Sequence, residues 1–439
     1  MAWLRWLFTL AAILGTASAG SATPKTRTDR CQFKDVTRDA GITFTHTWGA
    51  PKMRNIIDSV GSGAGFFDYN DDGLLDVYLL QGAGKPSALY RNNGDGKFTD
   101  VTKAAGVENK SIGLGVGAAD YDNDGHTDLL VTNYGGVKLF HNEGNGTFKD
   151  VTEKAGLSGG LPFVAHAAWA DIDKDGFLDL LLIRYVDYRP DKKVHAGALS
   201  KKEGFTFFAG PLDYDAVEQS LYHNNGNGTF RDVTVEAGLT KKGKGCAVGF
   251  ADLDGDGSPD FVIANDRWPK YLYENDGKGH FKEKGMESGI ALDEKGEATG
   301  GMAVAIEDFD GDGKPEVIIT TSIFEHNPLF RDEGKLKFKD VAEEAGLTKN
   351  AYRFVAFGIA PIDIDNDGFK STPAPTVQFT AVAGAPAHAF VFSVNQKVLT
   401  LDWKPDWIKA PNRHAVASKV NDALVLHQTG GYSILLCLY

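Results

Sequence analysis

The stretch GVGAADYDNDGHTDLLVTNY, from Gly115 to Tyr134, decides the fold. At its centre Asp120, Asp122, Asp124 and Asp128 occupy positions one, three, five and nine of a loop whose sixth residue is Gly125. Small and apolar residues lead into the loop and an apolar run leaves it, the pattern of two strands joined as a hairpin. The run after the loop lacks polar alternation, so that strand is expected to be buried on both faces.

The same loop recurs along the chain. It is set by Asp68, Asn70, Asp72 and Asp76; by Asp171, Asp173, Asp175 and Asp179; by Asp252, Asp254, Asp256 and Asp260; by Asp308, Asp310, Asp312 and Glu316; and by Asp363, Asp365 and Asp367, with Ser371 at position nine. The first aspartates of the six copies lie 52, 51, 81, 56 and 55 residues apart. Four intervals agree closely and the third carries an insertion, placed at 186–219.

A second motif follows every loop but the last. It reads LFHNEGNGTFKDVTEKAGL from Leu139, with counterparts from Leu89, Leu221, Leu272 and Leu329. Two short strands meeting across Asn145-Gly146, whose residues tolerate positive φ, make a second hairpin. Four short strands per repeat of about fifty residues predict an all-β chain, a β-propeller of four-stranded blades. Phe98, Phe148, Phe230, Phe281 and Phe338 share one blade position and are expected to pack between blades. Gly61 to Gly65 precedes a strand rather than a helix, which argues against a phosphate cradle and for a flexible lead into the strand.

Calcium takes six to eight oxygen ligands, and acids at positions one, three, five and nine can wrap one ion when glycine allows the turn at six. Position twelve is Leu79, Val131, Leu182, Ile263, Ile319 and Ala374. An EF-hand needs a bidentate glutamate there, so the loops predict strand-flanked calcium hairpins instead. Magnesium, which prefers rigid octahedra with retained water, suits them less well. Asn70 and Ser371 replace carboxylates, so their loops are expected to bind more weakly.

Composition narrows the partners. The 439 residues carry a net charge of −13, which speaks against the clustered positive surface that nucleic acid requires, so no nucleic-acid partner is expected. Arg5, the apolar run from Leu7 to Gly15 and the small residues Ala17 to Ala19 read as a secretory signal peptide over 1–19, leaving no membrane span after cleavage. Localisation is then secreted, periplasmic or cell-surface. Three cysteines, Cys31, Cys246 and Cys437, allow at most one internal disulfide, and Cys246 reads as a small buried residue.

Phe33 to His46, Gly61 to Gly82 and Leu221 to Thr234 resemble the FG-GAP/VCBS repeat proteins, and within them the secreted group related to cartilage acidic protein, which often carries a C-terminal ASPIC/UnbV domain. The resemblance spans 31–370 and implies a seven-bladed propeller, calcium in its hairpins, and extracellular recognition or adhesion of the kind integrin α heads perform. From 371 to 439 the pattern stops. That divergent tail either completes the last blade or reflects a frameshifted gene, so the ASPIC/UnbV domain is not expected within it.

No catalytic constellation is legible. His46, His166 and His223 read as turn or core residues rather than bases, which leaves a recognition module for an extracellular or envelope protein or a polysaccharide as the leading function. A propeller-scaffold polysaccharide lyase or hydrolase and a structural envelope component are the alternatives. The two hairpin types share one face of the blades, so the opposite face is the candidate ligand surface: Tyr134, Arg184, Tyr185, Asn265, Asp266, Arg267 and Trp268, with Phe205, Phe207, Phe208 and Tyr214 from the insertion.

Overall fold

The acidic loops and glycine turns of the sequence become the bends of five four-stranded antiparallel sheets, each wound in simple chain order. In the computed structural model the described residues are 36–47, 55–190, 209–309, 312–348 and 355–361, with the backbone of short strands at 201–202, 205–206 and between 376 and 435. The 1–19 segment, Phe207, Phe208, Asp310, Asp363, Asp365 and Asp367 lie outside them.

The first blade comprises Ala64–Phe67, Asp76–Leu79, Ala88–Asn92 and Phe98–Asp100. The second comprises Ile112–Ala119, Asp128–Tyr134, Gly136–Asn142 and Phe148–Asp150. Val164–Ala170, Asp179–Arg184, Ser220–Asn224 and Phe230–Asp232 make the third. Gly245–Ala251, Asp260–Asn265, Tyr271–Asn275 and Phe281–Glu283 make the fourth, and Ala303–Glu307, Glu316–Thr320, Leu329–Asp332 and Phe338–Asp340 the fifth. A further strand, Val355–Pro361, pairs with Thr376–Ala381. Between blades the chain turns through single helical turns such as Thr102–Ala105, which end at a left-handed glycine, Gly106.

The second strand of each blade is buried along nearly its whole length, as its unbroken apolar run requires. Leading strands of successive blades touch. Small residues make this approach feasible: the Gly63 N–H donates to the Leu114 carbonyl at 2.9 Å, and a Cβ on Gly63 would lie 2.7 Å from that oxygen. Gly63 and Gly65 therefore serve close packing between blades rather than flexibility, whereas Gly61, with φ of 80° and open space around it, ends the short helix Ile56–Val60.

The recurring phenylalanines are buried between blades. Phe148 of the second blade meets Phe67 and Tyr69 of the first, with ring centroids 6.4 and 6.2 Å apart, and Phe230 packs on Tyr121 at 5.6 Å. Losing such a ring removes contacts from two blades at once, and Phe→Ala changes of this kind cost about 3–5 kcal/mol. The isolated half-motif near the N-terminus repeats the arrangement. The Ala40 carbonyl accepts from Phe98 N–H at 2.7 Å, as Ala155 does from Phe230 and Ala237 from Phe281 at 2.9 Å. In the turn expected at Asn145-Gly146, positive φ is taken by Gly144 and Gly146, so the glycines rather than Asn145 carry the left-handed backbone.

Candidate metal centres

Each described acidic loop joins the first and second strands of its blade. Glycine at position six and a left-handed residue at four, with φ of 58°, 58° and 63° at Asp71, Asn123 and Lys174, fold the loop back on its first aspartate. Both oxygens of Asp120 accept backbone N–H groups, from Asp124 at 3.1 Å and Gly125 at 2.9 Å. Asp68, Asp171 and Asp308 are held in the same way by positions five and six of their loops. In the fourth blade Asp252 accepts from Gly255 and Gly257.

The ninth residue is the most deeply set. Asp76, Asp128, Asp179, Asp260 and Glu316 are all buried. Asp128 Oδ2 accepts from the Tyr121 N–H at 3.2 Å and Oδ1 from the Asn142 N–H at 2.7 Å, so one carboxylate ties the loop to the third strand. Asp76, Asp179 and Asp260 repeat this with Asn92, Asn224 and Asn275. Glu316, one methylene longer, still reaches the Phe309 N–H at 2.7 Å. Burial raises the carboxyls of Asp76, Asp128 and Asp260 to about 7 and that of Asp179 to about 6, and the neighbouring loop acids push the same way.

The donor set fits a hard divalent cation. Carboxylate oxygens of Asp120, Asp122 and Asp124, of Asp171, Asp173 and Asp175, and of Asp252, Asp254 and Asp260 gather within 4.8 Å of one another, close enough to hold one ion. At position three, Asn70 Oδ1, Asp122 Oδ1 and Asp173 Oδ1 are buried without a hydrogen-bond partner among the described residues. A buried oxygen with no donor is costly unless something positive takes that place. Asp72, Asp256 and Asp312 hold position five in the first, fourth and fifth loops, and the Asn70 amide donates to Asp72 at 3.0 Å.

Two histidines belong to these sites, against the expectation for His223. His141 Nδ1 lies 3.2 Å from Asp128 and 3.4 Å from Asp122, and His223 Nδ1 lies 3.0 Å from Asp179 and 3.5 Å from Asp173. The signal available in sequence was register: both immediately precede the asparagine that caps the third strand, where the other blades carry Arg91, Glu274 and Arg331. His46 bonds Ser62 at 3.0 Å, and burial of the His166 ring lowers its pKa to about 4, in keeping with core roles.

The opposite face is only partly the surface expected. Tyr185, Asn265 and Asp266 are buried, so their side chains are corrected from ligand-facing to internal. Tyr185 O–H donates to Asp266 at 2.5 Å, and Asn265 Nδ2 donates to the Pro269 carbonyl at 2.7 Å. Arg267 is committed to Glu325 at 2.5 Å. Tyr134, Arg184, Tyr214 and Trp268 are partly exposed; Phe205 starts a two-residue strand paired with Lys201–Lys202. Sequence reasoning passed over Phe324, which sits 70% exposed with φ of 67° in the loop between the second and third strands of the fifth blade.

Sheets of this order, built on repeats of this kind, define an FG-GAP-like repeat β-propeller. The FG-GAP-like repeat family matches residues 68–131, 120–182, 208–263, 252–319 and 308–370, and the chain belongs to it. Among characterised proteins it is similar to cartilage acidic protein 1 of Mus musculus, 23% identical over 328 residues that cover 70% of this chain and 46% of that protein. The human counterpart is 28% identical over 139 residues, 31% of this chain and 20% of that protein, so the chain spans less than half of the relatives it matches. Among solved structures, an Agrocybe aegerita lectin recognising non-reducing terminal N-acetylglucosamine is 18% identical with a TM-score of 0.42, covering 77% of this chain and 80% of that one. BBS1N in complex with ARL6DN is 7% identical with a TM-score of 0.43, covering 93% and 98%. No helix among the described residues is long and apolar enough to cross a membrane.

Proposed function

We propose that the chain is a secreted or envelope-exposed recognition module whose blades are held by calcium in the acidic hairpins, and whose partner is a protein or a polysaccharide. The observation that carries the calcium reading is the set of buried, partnerless oxygens at position three of three loops, each beside other loop acids. Membership of the FG-GAP-like repeat family supports recognition as the role. Asp68, Asp120, Asp171, Asp252 and Asp308 would ligate from loops already closed by their own backbone, so binding costs little reorganisation. Recognition is assigned to the face away from those hairpins, through Arg184, Trp268, Tyr214 and the insertion. Metal analysis after dialysis into millimolar calcium should find about four to six ions per chain; one or none overturns the calcium reading. A glycan and extracellular-protein binding screen, run with and without chelator, should yield a partner whose capture is lost when calcium is removed.

A further inference from the structure

We infer that the second and third blades hold mixed carboxylate and imidazole sites that take a first-row divalent transition metal of the zinc class in preference to calcium. The inference rests on reading the acidic loops as cation sites, and assigns two of them a different ion. The groups are Asp122, Asp128 and His141 in one blade, and Asp173, Asp179 and His223 in the next.

Ligands about 2.0–2.1 Å from a tetrahedral zinc stand about 3.3 Å from one another. His141 Nδ1 is 3.4 Å from Asp122 Oδ2 and 3.2 Å from Asp128 Oδ1, and His223 Nδ1 is 3.5 Å from Asp173 Oδ2 and 3.0 Å from Asp179 Oδ1. The two triads form separately yet match. His141 and His223 side chains are each 22% exposed, so the nitrogen is withdrawn from bulk solvent but reachable. Beside each, the Oδ1 of Asp122 or Asp173 is buried without a hydrogen-bond partner.

Chemistry separates these blades from their neighbours. Imidazole is a good ligand for zinc and its row and a poor one for calcium, which takes oxygen. At the same register the first and fifth blades carry Arg91 and Arg331, which offer no lone pair, and the fourth carries Glu274, which adds oxygen. Only the second and third blades, among those described, add nitrogen.

The test uses the full chain, stripped by chelator, returned to millimolar calcium and titrated with zinc. Wild type should retain about two zinc ions per chain after dialysis against calcium. His141→Gln and His223→Gln should each lose one, the double variant both, with calcium at the other blades unchanged. Cobalt should give a visible absorption band that the double variant lacks. The register already accommodates long polar side chains, so the glutamine variants should fold; His141→Arg, matching Arg91, serves as a second variant that fills the site with fixed positive charge. Zinc retention unchanged in the double variant, or no zinc retained against calcium, overturns the inference and leaves the histidines as hydrogen-bond partners of the carboxylates. Because both metals are counted in one sample, zinc without calcium would sink the calcium reading alone, and calcium without zinc would sink this one alone.

Discussion

The side-chain amide of Asn142 donates to the Tyr69 carbonyl at 2.9 Å, bonding the third strand of the second blade to the acidic loop of the first. Asn224 does the same to Tyr121 at 2.7 Å and Asn275 to Ile172 at 2.9 Å. Since each asparagine also gives its backbone N–H to the ninth carboxylate of its own loop, hydrogen bonds run without a break through four successive loops. A change in one loop is therefore felt by its neighbour through fixed polar contacts.

Asn142→Ala should destabilise the protein by about 1–3 kcal/mol, because Tyr69 and Thr127 carbonyls lose a buried donor. Asn93→Ala, whose exposed amide bonds only Thr99, should stay within about 0.5 kcal/mol. Urea midpoints of both variants in chelator decide it. Equal effects would mean that the bond between blades carries no weight.

Removal of metal should reverse the usual pH trend. Burial raises the carboxyl pKa of Asp76, Asp128 and Asp260 to about 7 and that of Asp179 to about 6, from an ordinary 3.8. For an acid whose folded pKa is raised, the folded state binds more protons between the two values, so stability declines as pH climbs through that window. In chelator the melting temperature should be higher near about pH 5.5 than near about pH 8. Calcium needs the ionised carboxylates, so its stabilising effect should grow over the same interval. A chelated protein that weakens on acidification from 8 to 5.5 would contradict this.

How far sequence reached depends on the range of the contact. The hairpins were legible because their acids, glycines and turn residues lie within nine positions of one another, and the apolar exit runs gave the buried second strands. His141 escaped because it meets Asp128 from the next strand, and His223 because the 186–219 insertion separates it from Asp179. Asp266 and Asn265 looked like a polar loop, yet both are buried and satisfied internally, through Tyr185 and the Pro269 carbonyl. No local pattern encodes a partner such as Tyr185, 81 residues away.

His326 provides a second pH dependence, of opposite origin. Its Nε2 lies 2.5 Å from Asp340, and that hydrogen bond raises its pKa above 6.5 although burial works against it. A histidine with a raised folded pKa contributes stability that is complete below its unfolded value and lost as pH rises through the folded one. His326→Gln should therefore cost about 1 kcal/mol near pH 6 and markedly less near about pH 8.5. Calcium-saturated melting curves at the two pH values check this; an equal cost at both would assign the residue to packing.

The described end of the insertion, from Pro211 to Glu218, is built into the fold. Lys244 is buried and its Nζ donates to the Pro211 carbonyl at 2.7 Å. Tyr214 packs edge-on to Tyr188 at 5.6 Å, and Val217–Glu218 pairs with Lys242–Gly243. A deletion running through Asp213 would strip Lys244 of that acceptor and should cost about 1–3 kcal/mol. Replacing only 191–208 with a short glycine-serine link keeps Pro211 and should leave melting and calcium content nearly unchanged, because loop length enters closure entropy weakly. The short deletion removes Phe205, Phe207 and Phe208 and should abolish capture of the partner found in the binding screen. If it lowers melting as far as the long one, those residues belong to the packing. Capture that survives it assigns recognition to Arg184, Trp268 and the exposed Phe324 instead.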